Sequence, residues 1–90
     1  MSVFIITCKQ QDIHCPIVVR VATSLVKAHE YIEKQTSVET GGFSTQHISE
    51  GPLCYGHYHF PYQRCTMVFF AEGHDEHEGV AYAILRVEAD

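Results

Sequence analysis

Leu25, Ala28 and Ile32 recur at spacings of three and four, with Tyr31 beside them, and this is the one helical stripe in the chain. Thr23 or Ser24 precedes it as a cap, and the pattern runs to about Gln35. Glu30 and Lys34 fall four apart on its wet side, a favourable charged pair. His29 borders the stripe, where a histidine packs more often than it binds a ligand. With one helix available, the remaining apolar segments must be strands.

The segment from Val3 to Cys8 is a run of β-branched and aromatic residues that reads as a buried strand, and Pro16 to Ala22, with Ile17, Val18, Val19 and Val21, reads as a second strand paired antiparallel with it. Gln10-Gln11-Asp12 turns between them, and Pro16 stands at a strand start, where its missing N–H does least harm. After Gly41-Gly42, the stretch from Phe43 to Ile48 reads as a short edge strand. Alternation from Leu53 to Phe60, the closing Pro61 and Tyr62, and the apolar run from Cys65 to Ala71 predict a second hairpin. A polar loop from Glu72 to Gly79 leads to a last strand, Val80 to Val87. The expected fold is α+β: a mostly antiparallel sheet of five or six short strands with one helix packed on one face, in the order β-β-α-β-β-β. A chain of 90 residues is expected to form a single domain over 1–90, with one modest core.

Net charge is −5, and the six Lys and Arg are scattered singly along the sequence. Phosphate backbones are held by clustered cations, so direct nucleic-acid binding is not expected. No apolar run reaches the ~20 residues of a membrane span, and the start has no basic leader. A cytoplasmic location with reduced thiols is therefore expected. The four cysteines could pair in three ways in an oxidising compartment, and Cys8 and Cys15 flank the first turn, where they could face each other.

Chemistry-bearing side chains concentrate in the order Cys54, His57, His59, Cys65, His74, His77. Alternate residues of a strand share a face, which would align His57 with His59, while His74 and His77 follow in a loop. Four nitrogens could enclose zinc, and three with an open position would suit a small metal-dependent hydrolase. Structural zinc usually comes with close pairs such as Cys-x2-Cys, and the pairs here, His57-x-His59 and His74-x2-His77, are each a weak signal alone. The run His74, Asp75, Glu76, His77, Glu78 also suits a solvated turn whose carboxylates favour protonated histidine. No cofactor is expected on the favoured reading; zinc on His57, His59, His74 and His77 is the alternative.

Gly51 followed by His57-Tyr58-His59 resembles the first half of the cupin metal motif. Gln63 or Arg64 stands where the glutamate belongs, and the chain is too short for a double-sheet barrel. Ser24, Ser37, Ser44 and Ser49 sit in no nucleophile elbow. A cysteine nucleophile drawn from Cys54 or Cys65 with His57 or His59 lacks a third, orienting group. The reading leans away from an enzyme.

Tyr55, Tyr58, Phe60, Tyr62, Phe69, Phe70 and Tyr82 crowd the second half. Either they wall a second face of the sheet or some anchor a protein partner, and Tyr58 and Tyr62 are the candidate anchors. Free edges of so small a sheet also suit pairing with another copy, so a homodimer is among the expected states.

Phe4-Ile5-Ile6-Thr7, then Val21-Ala22-Thr23-Ser24 with Ala28 and Tyr31-Ile32-Glu33, then Tyr82-Ala83-Ile84 with Asp90, resembles a small ββαβ domain of unknown function found in phages and bacteria. The likeness covers the first third and the last ten residues, and departs from it by an insertion over about 38–79. It implies a phage or bacterial accessory protein and carries over no functional residue. The expected function is a small binding protein that acts by protein–protein contact, as inhibitor or modulator of a host protein.

Overall fold

A strand that is apolar on both sides belongs in the middle of a sheet, and β7 (Ala81–Glu88) occupies that place. The computed structural model describes residues 2–13, 16–37, 43–51, 54–55, 58–59 and 65–88, with backbone alone at 36–37, 45–51, 54–55 and 58–59. Before β7 come β1 (Ser2–Lys9), β2 (Ile17–Ala22), α1 (Leu25–Ser37), β3 (Phe43–Gly51), β4 (Cys54–Tyr55), β5 (Tyr58–His59) and β6 (Cys65–Gly73). A single 3₁₀ turn, Asp75–His77, joins β6 to β7. The five-stranded sheet has the order β2-β1-β7-β6-β3, antiparallel throughout. This is an α+β fold, as expected.

The two ends of the chain meet in the central pair. β1 and β7 stay in register from Ser2 opposite Glu88 to Lys9 opposite Ala81. Ser2 Oγ donates to Glu88 Oε1 at 2.7 Å beside the first of these pairs.

Ser24 caps α1, its Oγ accepting the Lys27 N–H at 3.2 Å. The helical stripe then buries Ala28 and Ile32 against Ile6, Ala22, Phe69 and Ile84. Leu25 is 37% exposed, so the buried stripe is narrower than its apolar pattern. His29 packs edge-on against Phe69, ring centroids 4.6 Å apart. Glu30 and Lys34 do not close into an ion pair among the described residues.

The other face of the sheet is buried too. Cys65, Met67, Phe70, Ala81, Ala83 and Leu85 form a second cluster, each 4% exposed or less. Alternation along β7 sends Ile84 to the helix side and Ala83 and Leu85 to this one. In β6 the register shifts between Met67 and Phe69. That bulge lets Val68 and Phe69 both join the helix-side cluster while Met67 and Phe70 join the other.

One expected strand divides. β4 and β5 pair with each other, Cys54 opposite His59 and Tyr55 opposite Tyr58, in a separate two-stranded sheet. β6 does not hairpin with this region; it lies between β3 and β7. Alternation from Leu53 to Phe60 serves two short strands folded on each other as well as it serves one long strand. Cys8 is buried, with its Sγ 3.9 Å from the Lys9 carbonyl oxygen, and Cys15 lies outside the described residues. No helix among the described residues is long and apolar enough to cross a membrane.

Thr7 is 4% exposed, and its Oγ1 has no hydrogen-bond partner among the described residues. A buried, unpaired hydroxyl costs roughly 1–3 kcal/mol. Thr7→Val keeps the branched shape and removes that cost, so it is expected to stabilise the fold by about 1 kcal/mol in urea unfolding. A loss of stability would mean the hydroxyl is bonded after all.

Candidate functional site

The seven exposed large hydrophobic side chains among the described residues all lie between Ile13 and Val26. Four of them, Ile17, Val18, Val19 and Val21, belong to β2, which ends the sheet and among the described residues pairs only with β1. Val26, on the first turn of α1, is 66% exposed, and Val21 is 58% exposed. Edge strands are usually blunted by charge, proline or a bulge. Here Pro16 precedes the strand, and its register with β1 skips Val19.

That bulge decides which way the side chains point. Val18 lies opposite Thr7 and Val21 opposite Ile5, which puts both valines on the face away from the helix. Arg20 lies opposite Ile6 and Ala22 opposite Phe4, which puts them on the helix side. The Arg20 guanidinium carbon sits 5.2 Å from the centre of the Tyr31 ring, within cation–π range.

Between β2 and α1 opens a groove of about 570 Å³, lined by Arg20, Lys27, Glu30, Tyr31 and Lys34 among others. Three of the chain's six basic residues meet there, with one carboxylate. Three of the cations scattered along the sequence are thus gathered by the fold. Lys27 and Lys34 are two helical turns apart and share a face, and Arg20 lies on the strand leading into that helix. None of the three has an ion-pair partner among the described residues.

The β6–β7 connection carries the opposite charge. A pocket of about 440 Å³ is lined by Ser44, Glu72, Gly73, His74, Asp75 and Glu78. His74 Nδ1 lies 3.0 Å from Asp75 Oδ2, and Asp75 holds a left-handed backbone at φ 54°. The His77 ring stacks on Phe43 at 5.1 Å, and Phe43 in turn meets Tyr82 at 5.9 Å. Lys9 Nζ donates to the Gly79 carbonyl oxygen at 3.1 Å and ties this turn to β1.

His74 and His77 therefore sit on one turn, one against a carboxylate and the other against an aromatic ring. Among the described residues no three or more His, Cys, Asp or Glu side chains are grouped to hold a metal ion. His57 lies outside those residues, and His59 is described by its place in β5 opposite Cys54. Tyr58 is paired with Tyr55 across the small sheet, and Tyr62 lies outside the described residues. Burial pushes the Cys65 thiol above its ordinary range, which keeps it protonated at neutral pH. An activated nucleophilic cysteine needs the reverse shift.

Comparison with protein-family models, with curated proteins and with solved structures finds no match for this chain.

Proposed function

We propose that the chain is a small, non-enzymatic binding protein that modulates another protein by direct contact through the β2 edge. The observation that carries this reading is the concentration of exposed apolar side chains on and beside one edge strand. Soluble proteins seldom leave a contiguous apolar patch of more than a few hundred Å² unless it is used. An edge strand adds a second source of affinity, because its free backbone groups can pair with a strand from the partner.

The test begins with affinity capture from a cell extract and proceeds to each captured protein in purified form. A genuine partner binds the wild-type chain and loses at least tenfold in affinity against Val18→Lys/Val21→Lys. Both positions are exposed, so circular dichroism and melting of that variant should match the wild type. Lysine on an edge strand opposes pairing by charge and by its hydration. Equal binding to both proteins would move the contact away from β2. Alanine at Tyr58 or Tyr62, measured in the same assay, then asks whether the β4–β5 region supplies the anchor instead. Binding indifferent to all of these changes would sink the proposal.

A further inference from the structure

We infer that the partner presents an extended acidic segment, which adds to β2 as a sixth strand with its carboxylates over the Arg20, Lys27 and Lys34 groove. The inference rests on the β2-edge reading and adds the chemistry of what docks there. A strand laid beside β2 turns alternate side chains to opposite faces of the sheet. On the helix side its side chains meet Arg20, backed by the Tyr31 ring, and the two lysines of α1. On the other side they meet Val18 and Val21 next to Ile5. The complementary sequence therefore alternates acidic with β-branched residues.

Charge selects this occupant over a second copy of the chain. Two β2 strands paired antiparallel are related by a two-fold axis perpendicular to the sheet, which leaves both helices on the same face. The Arg20, Lys27 and Lys34 groups of both copies would then converge, with only the two Glu30 carboxylates from the groove linings to offset them. Like charges brought together in this way oppose association. An acidic strand meets the same cations with attraction. The two lysines stand about 10 Å apart along the helix. Carboxylates at every second position of a strand recur at about 6.7 Å, and the long lysine side chains can take up the difference.

The experiment uses three labelled octapeptides in which valine alternates with glutamate, glutamine or lysine. Their binding to the full chain is read by fluorescence anisotropy at low and high salt. The glutamate peptide should bind at least tenfold more tightly than the glutamine peptide at low salt, and the lysine peptide more weakly than either. The advantage should shrink as salt screens the charges, and vanish in Arg20→Gln/Lys27→Gln/Lys34→Gln.

Equal binding of the glutamate and glutamine peptides, both lost in Val18→Lys/Val21→Lys, would overturn the acidic inference and leave edge docking standing. A glutamate preference that survives the triple substitution would also overturn it, since the attraction would then arise elsewhere. No peptide binding, together with a dimer in sedimentation that Val18→Lys/Val21→Lys dissolves, would make a second copy the occupant and end the inference.

Discussion

Ile84→Ala and Leu85→Ala are each expected to cost about 3 kcal/mol in urea unfolding, although the two side chains face opposite sides of the sheet. Both are fully buried, Ile84 under α1 and Leu85 in the second cluster with Met67 and Phe70. Removing three side-chain carbons from such a site loses their transfer energy and leaves a cavity that neighbours only partly fill. A protein of this size has a total stability of about 5–13 kcal/mol on the usual per-residue scale. Either substitution thus removes a large share of it. Matching costs would establish that both faces are packed core. If Leu85→Ala cost under about 1 kcal/mol while Ile84→Ala cost the full amount, the face away from the helix would be loosely covered, and the case for two cores would fall.

Much of the first half was legible in the sequence for a physical reason. β1 and β2 are unbroken β-branched runs, α1 carries one clear helical stripe, and Ser24 is the residue type that caps a helix. Face assignment in β6 was not legible, because the bulge at Val68 breaks the period of two and arises only when β7 pairs beside it. The division of Leu53 to Phe60 into β4 and β5 was hidden in the same way, since both arrangements satisfy one alternating pattern.

The candidate site shows the sharper gap. Ile17-Val18-Val19 and Val21 read as a strand, but nothing in the pattern told that β2 ends the sheet and leaves them exposed. Composition reports how apolar a strand is; its place in the sheet depends on which strand pairs with which. Arg20, Lys27 and Lys34 were likewise invisible as a group, since a turn and a helical face are needed to bring them together. The heptad spacing of the two lysines was the one available signal. The histidine cluster, the most conspicuous feature of the sequence, is brought together by the described residues only at His74 and His77, on a single turn.

Gly73→Ala should be the most damaging substitution outside the apolar core, and it tests how rigidly that turn is held. Gly73 ends β6, and its N–H donates to the Val80 carbonyl oxygen at 2.7 Å. A Cβ placed there would overlap the His77 carbonyl oxygen and lie 2.9 Å from the His77 Cβ. The oxygen cannot simply retreat, because it accepts the Val80 N–H at 2.9 Å. Gly73 has no positive φ, so by backbone preference alone alanine would stabilise the fold by up to about 1 kcal/mol through the unfolded chain. Overpacking against backbone opposes that gain at roughly 3 kcal/mol. The steric term wins, and a net loss of about 2 kcal/mol is expected in urea unfolding. Relief of the overlap also requires the 3₁₀ turn to move, which should pull His77 off Phe43 and shift the ring signals of both in NMR spectra. Gly79→Ala is the control: its φ of 89° strains any L residue, but its new Cβ meets the Gln11 side chain no closer than 3.3 Å. It should cost about 1 kcal/mol and leave the His77–Phe43 stack in place. Unchanged or increased stability in Gly73→Ala would show that the turn yields easily, and His74 and His77 would then be free to adopt another arrangement.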